Sequence, residues 1–202
     1  MQQNDPQIEE IIKFWFGRVE ETIVPSENRA RIWFSEDPEV ADTIQQDFHA
    51  DIIKAQQGVY NKWKENARGQ LALILLLDQF PRHVYRETPQ AFDHDKIALE
   101  VCLQGLDLES DHNLSLIERV FFYFPLLHAE NLDYQERSLE NYRVLSELAF
   151  SETRVIFDSF LKFANHHYSI IQRFGRFPQR NQALGRGSSS IELAYLEEIN
   201  GL

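Results

Sequence analysis

Apolar positions along this chain recur with the period of an amphipathic α-helix. In the first such segment, Ile8, Ile11, Ile12 and Trp15 follow the i, i+3, i+4, i+7 spacing that places side chains on one helix face. Residues 70–80 are apolar on all sides, which predicts a central, buried helix. Alternating runs of β-branched residues joined by hairpin turns do not occur, so strands are not expected. The pattern therefore predicts an all-α protein.

Capping signals set where these helices begin and end. Asp5-Pro6 is an N-cap followed by a first-turn proline, and Gly17 ends the stripe that follows. Ser115 and Glu118 form a capping box. Such signals divide the chain into about eight helices, over residues 5–17, 37–58, 70–80, 88–105, 115–125, 126–149, 152–174 and from 189 onwards. The short connections predict antiparallel neighbours, and hence an array of helix pairs.

Composition is that of a single globular domain over residues 1–202. Hydrophobic residues make up 43% of the chain and 15 residues are Phe, which is enough for a sizeable core. Cys102 is the only cysteine, so no intramolecular disulfide forms, and a reducing compartment, the cytoplasm, is expected. The first ten residues are acidic and lack an apolar stretch, so no signal peptide is expected, and the longest apolar run, residues 71–77, is too short to span a bilayer. The formal net charge of -12 argues against nucleic acid and anionic membranes as partners.

One stretch near the C-terminus departs from this acidic character. Residues 160–190 contain no Asp or Glu. The basic residues of this window are Lys162, Arg173, Arg176, Arg180 and Arg186. Arginine forks match phosphate and carboxylate groups, and the interleaved glycines allow a backbone to approach a ligand closely. The alternative interpretation is a structured loop whose arginines satisfy helix carbonyls and buried acids.

Three long motifs resemble those of a known family. Residues 71–82 read LALILLLDQFPR, residues 122–130 read FYFPLLHAE, and residues 173–181 read RFGRFPQRN, followed by LGR at 184–186. Over nearly its whole length the chain resembles an uncharacterised bacterial family, domain of unknown function 924 (DUF924). The resemblance implies an all-α fold similar to tetratricopeptide-type helical repeats. It implies no activity, because the family is uncharacterised.

Asp78 places a charge at the end of the most apolar helix. Burial and the helix dipole both disfavour an anion there, so a partner is expected. The preferred interpretation is a buried Asp–Arg clasp that joins helices, because structural ion pairs are common among buried charges. For Arg82 and Arg86, a structural pair and a ligand contact remain equal alternatives.

Several histidines and acidic residues are candidates for catalysis, although they match no known catalytic motif. His128 and Glu130 lack the spacing of zinc sites, so no metal and no cofactor is predicted. The catalytic candidates are His128, Glu130 and His166, of which His166 shares a helix face with basic residues. His167 lies on an apolar stripe and is interpreted as a core histidine. Residues 93–95 are interpreted as a solvated face.

The sequence supports three alternative functional hypotheses and does not decide whether the protein is an enzyme. The leading hypothesis is a pocket for a small anionic ligand that bears phosphate or carboxylate. Its candidate residues are Arg82, Arg86, His128, Arg137, Arg173, Arg176, Arg180, Asn181 and Arg186. One alternative is a hydrolase or transferase acting on such a metabolite, with His128 or His166 as general acid or base. The other is an interaction scaffold whose concave face captures a peptide carboxylate.

Overall fold

A computed structural model describes residues 5–17, 27–34 and 37–200 of the chain. Within these ranges the regular structure is helical and no residue lies in a strand, which confirms the all-α prediction. The α-helices are α1 (Pro6–Phe16), α2 (Glu27–Phe34), α3 (Pro38–Asp47), α4 (His49–Gln56), α5 (Ala67–Ile74), α6 (Phe80–Val84), α7 (Asp95–Asp107), α8 (Leu116–Phe122), α9 (Phe124–His128), α10 (Leu132–Leu148), α11 (Arg154–Phe174) and α12 (Ser190–Asn200). None of these helices is both long and apolar enough to cross a bilayer. The single-domain boundary and the tetratricopeptide-type pairing stay predictions.

Local capping interactions, including the predicted caps at Asp5 and Ser115, account for several helix ends. The Asp5 side chain accepts a hydrogen bond from the Gln7 N–H at the start of α1. Both hydrogen bonds of the Ser115–Glu118 capping box are present at α8. Gly175 ends α11 with φ of 70°, in the left-handed region that glycine adopts without steric cost. Local side-chain chemistry therefore sets these boundaries.

Other predicted boundaries are wrong, and local geometry explains them. The segment 37–58 divides at Phe48, whose φ of -124° interrupts the helix, and α2 was not predicted at all. The predicted helix over 126–149 is also two helices, because the Asn131 side chain accepts a hydrogen bond from the Tyr134 N–H and starts α10 afresh. The break places His128 at the C-terminal end of α9.

The predicted helix over 70–80 continues past Pro81 because one turn before the proline is wider than an α-helical turn. Leu75–Gln79 forms a π-turn between α5 and α6, in which the Phe80 N–H bonds to the Leu75 carbonyl five residues earlier. A proline within a helix has no N–H to donate and its ring crowds the preceding turn. The wider turn before Pro81 relieves that crowding, and it contains Asp78. Such turns are frequent at functional sites.

Aromatic side chains fill the core between α1, α6 and α8. The Trp15 ring lies 5.6 Å from Phe80 and 5.5 Å from Phe121, centroid to centroid, and all three residues are fully buried. A smaller apolar cluster that includes Ile171, Phe177 and Tyr195 packs the loop after α11 against α11 and α12. A hydrogen bond from Arg180 to the His128 carbonyl holds this loop next to the end of α9, where the candidate site lies.

Candidate functional site

A cavity of about 350 Å³ lies between α6, the end of α9, α11 and the loop after α11. Its apolar walls come from phenylalanines and an isoleucine, and its polar wall carries arginine, histidine and glutamine. The described residues that line it are Arg82, Phe92, His128, Phe163, His166, His167, Ile170, Phe177, Gln179 and Arg180. None of them is Asp or Glu, although the chain contains 32 such residues. The side chains facing the cavity are therefore cations, neutral hydrogen-bonding groups and apolar groups.

The carboxylate of Asp78 supports two of the lining residues from within the protein. It is fully buried, with both oxygens 2.9 Å from His128 Nδ1 and Oδ1 3.2 Å from Arg82 Nη1. Burial acts to raise the pKa of Asp78, but Arg82 and His128 outweigh it and hold the pKa well below its usual range. The expected Asp–Arg pair is present, but both partners lie on one continuous helical stretch. The contact between helices comes from His128 instead.

Asp95 ties two arginines of the cavity together. Its Oδ2 accepts hydrogen bonds from Arg82 Nη2 at 2.8 Å and from Arg180 Nη1 at 3.2 Å. Burial raises the pKa of Asp95 to about 6. The interpretation of residues 93–95 as a solvated face is therefore wrong for Asp95, whose side chain is 23% exposed and paired. Asp95 keeps the two guanidinium groups side by side.

The guanidinium of Arg180 is held rigidly. It lies between the rings of Phe92 and Phe177, 4.9 Å and 4.6 Å from their centroids. Its Nη2 donates to the His128 carbonyl at 3.0 Å. Burial, reinforced by the nearby Arg82, lowers the pKa of Arg180 to about 10, so the group stays charged at neutral pH.

Two neutral histidines lie next to each other in the cavity wall. The ring centroids of His128 and His167 are 6.4 Å apart. Burial lowers the pKa of His128 to about 4 and that of His167 to about 3. His167 Nδ1 lies 3.0 Å from the Phe163 carbonyl, which can only accept, so Nδ1 carries the proton and Nε2 keeps its lone pair. His167 is thus part of the cavity wall, not only of the core, and the exposed His166 lies beside it.

Arg186 and Glu130 form a structural clamp outside the cavity. Arg186 Nη1 and Nη2 lie 2.6 Å and 2.9 Å from the two Glu130 oxygens, and Arg186 Nη2 also donates to the Phe177 carbonyl. The Glu130 carboxylate accepts the Phe177 N–H as well. Burial acts to raise the pKa of Glu130, but Arg186 and the Phe177 N–H lower it below its usual value. Glu130 and Arg186 therefore secure the loop that carries Phe177.

The remaining candidates lie away from the cavity lining. Asn181 is buried and bonds to Ser188 and Arg186. Arg176 pairs with Glu192, Arg137 pairs with Asp107, and Arg173 lies over the rings of Phe174 and Tyr195. Arg86 follows α6, where burial and, secondly, the charge of Arg86 lower the pKa of His83. Of the nine predicted ligand-binding residues, the structure thus brings only Arg82, His128 and Arg180 into the cavity wall.

Sequence reasoning missed Asp95, Phe92 and the part that His167 plays in the cavity. Asp95 lies 85 residues from Arg180, so no local pattern connects them. The position of His167 could have indicated its place in the cavity wall, because it follows the candidate His166 on the helix that precedes the arginine-rich loop. Among the described residues, no three His, Cys, Asp or Glu side chains are grouped to hold a metal ion.

Two larger hollows lie elsewhere on the described surface. One, of about 1050 Å³, is bordered by charged residues of both signs, including Glu10, Lys13 and Asp47. The other, of about 560 Å³, is apolar and includes Trp33 and Phe34. Neither contains a buried polar network like the one behind the small cavity, so the small cavity is the candidate site.

Comparison with known proteins gives a family and a fold. Residues 11–200 match the family described as "Bacterial protein of unknown function (DUF924)". A solved structure of a protein of unknown function from Agrobacterium tumefaciens is similar to this chain. It has a TM-score of 0.80 and 31% identity, over 96% of this chain and 98% of that chain. No curated protein matches the chain.

Proposed function

The chain belongs to the DUF924 family of bacterial proteins of unknown function, and we propose from its cavity that it binds a small anionic ligand with an apolar part. The observation that carries this proposal is the lining, in which Arg82 and Arg180 face the cavity and no described lining residue is acidic. Asp78 and Asp95, the carboxylates that pair with these arginines, are not part of the lining, and Asp78 is fully buried. An anion that enters therefore meets the cations first.

Hydrogen-bonding capacity supports the same ligand class. A guanidinium has five N–H donors in a fixed fork. The Nε–H groups of Arg82 and Arg180 donate no hydrogen bond within the described residues, while their Nη groups hold Asp78, Asp95 and backbone carbonyls. Both arginines therefore keep donors for a phosphate or carboxylate group without giving up their structural contacts.

The size and walls of the cavity favour a metabolite over a peptide. A volume of about 350 Å³ is at the lower end of the range for small-molecule pockets. Phe163, Ile170 and Phe177 supply apolar surface beside the two arginines. The ligand we expect therefore combines one anionic group with a small apolar body.

Thermal shift with phenylphosphonate and benzoate tests this proposal. A ligand at about a hundred times its dissociation constant stabilises the fold by about 2.7 kcal/mol, which raises the melting temperature by roughly 5–10 °C for a chain of this size. We expect the shift to disappear in Arg180→Gln. The matched control is Arg137→Gln, which removes an exposed arginine outside the cavity. A shift that Arg180→Gln leaves unchanged, or no shift with either probe, would refute the proposal.

A further inference from the structure

The imidazole of His128 lies between a buried carboxylate and the cavity. Its Nδ1 is 2.9 Å from both oxygens of Asp78, which is 0% exposed, while the His128 side chain is 11% exposed and lines the cavity. An ionised carboxylate only accepts hydrogen bonds, so Nδ1 carries the proton. The Nε2 atom of His128 therefore keeps its lone pair. No described residue forms a hydrogen bond with Nε2.

This imidazole is oriented from several directions. The Gln79 side-chain amide donates to Asp78, and Arg82 pairs with the same carboxylate, so the acceptor of the His128 proton is itself fixed. The His128 carbonyl accepts from Arg180. A carboxylate that holds a histidine in one tautomer, with the other ring nitrogen free, is the arrangement by which a histidine acts as general base.

The cations of the site suit a dianion. Arg82 and Arg180 share one oxygen of Asp95, which keeps two guanidinium groups within reach of a single ligand group. A phosphate monoester carries close to two negative charges at neutral pH, whereas a carboxylate carries one. The phenylalanine walls then suit an apolar or aromatic organic group on the other side of the ester oxygen.

We propose that Asp78 and His128 form a general-base dyad that hydrolyses a phosphate monoester of a small apolar alcohol, with Asp78 as the positioning residue. The inference rests on the proposed binding function. His128 Nε2 takes a proton from a water whose oxygen bonds to phosphorus. The bond from phosphorus to the ester oxygen breaks on the opposite side, where that oxygen takes a proton from solvent water, and Nε2 returns its own proton to solvent. The products are the alcohol and inorganic phosphate, and Arg82 and Arg180 balance the charge on the phosphoryl oxygens.

The charges around His128 support this direction of proton transfer. Burial and Arg82 lower its pKa to about 4, and Arg180 acts in the same direction, while Asp78 opposes them. The histidine is thus unprotonated at neutral pH and ready to accept a proton. A phosphate bound to Arg82 and Arg180 offsets their effect, so the substrate itself makes His128 a stronger base. The other titratable groups that face the dyad include Asp95, His166 and His167 at the cavity and, behind Asp78, Cys102 and Tyr142.

The test is hydrolysis of para-nitrophenyl phosphate by the full chain between pH 3 and 8. His128→Asn keeps an amide N–H that can donate to Asp78 but removes Nε2. We expect it to lower kcat by about 100-fold or more, the contribution of a general base, with little change in KM. His112→Asn, which alters an exposed histidine outside the cavity, is the matched control and should leave kcat unchanged.

Asp78→Asn separates positioning from a merely structural role. Because Asp78 raises the pKa of His128, its loss should move the acidic limb of the kcat/KM profile to lower pH as well as reduce kcat. Phenylphosphonate, which cannot be hydrolysed, gives a second measurement by calorimetry. Binding of phenylphosphonate by wild type and His128→Asn without any turnover would overturn the dyad and leave the binding function standing. Binding of benzoate without binding of phenylphosphonate would overturn the dyad alone, and binding of neither probe would overturn both proposals. Turnover that His128→Asn does not change, or that occurs with para-nitrophenyl acetate alone, would also overturn the dyad.

Discussion

Acid should destabilise the fold through His128, and the size of the effect can be worked out from the site. The histidine has a pKa of 6.5 in the unfolded chain and about 4 in the folded protein, because it is buried beside Arg82. A group whose pKa falls on folding adds stability above the unfolded pKa and loses it as the pH drops towards the folded pKa. Between pH 7 and pH 4.5, His128 alone should cost about 2 kcal/mol of unfolding free energy.

Urea denaturation of wild type and His128→Asn at both pH values measures this cost. His167 contributes in the same direction and Asp95, whose pKa is raised to about 6, in the opposite one, but both groups are common to the two proteins. The difference between the two pH dependences therefore reports His128 together with its effect on the neighbouring His167, which acts in the same direction. We expect wild type to lose about 2 kcal/mol more than the variant. Equal losses would mean that the folded protein does not hold His128 unprotonated, and the reasoning would fail.

Two further pairs of variants test the Arg186–Glu130 clamp and the packing of α5. Arg186→Ala removes a half-buried, bidentate pair with Glu130, so it should lower the free energy of unfolding by about 2 kcal/mol, or the melting temperature by roughly 4–8 °C. Arg137→Ala is the control and should cost under about 0.5 kcal/mol, because the pair between Arg137 and Asp107 is exposed. Equal effects would contradict the clamp. Gly69→Ala should cost about 1–3 kcal/mol by urea denaturation, because the new Cβ would lie 2.3 Å from the Trp63 carbonyl oxygen, whereas Gly187→Ala meets nothing within 4 Å and should be neutral.

The parts of the fold that depend on near neighbours could be predicted from sequence. The N-caps at Asp5 and Ser115 and the glycine that ends α11 are local signals, and the structure has all three. The interruption before α10 depends on Asn131, whose side chain can either cap a new helix or remain in a continuing one. Tertiary packing decides between these two conformations of Asn131. The pattern of apolar residues does not contain that information and therefore predicted a single helix over 126–149.

The site was harder to predict because its partners are far apart in sequence. The absence of acids from residues 160–190 suggested arginines without partners. Arg180 instead pairs with Asp95, and Arg186 with Glu130, which lies 56 residues away. Arginines in a segment without local acids must pair with acids elsewhere in the fold or with a ligand. The absence of local acids therefore indicates either a ligand site or a segment anchored by distant ion pairs.

The difference between these two roles lies in which groups face the cavity. All three guanidinium nitrogens of Arg186 donate hydrogen bonds within the protein, Nε to Asn181, Nη1 to Glu130 and Nη2 to the Phe177 carbonyl. Arg180 donates through its Nη groups alone, and its flat face is held between two rings with no described acid lining the cavity beside it. Because the loop is fixed by Arg186, Arg180 can be kept charged and partly unsatisfied at the cavity wall. The structural arginines of this segment are therefore what makes a binding arginine possible in it.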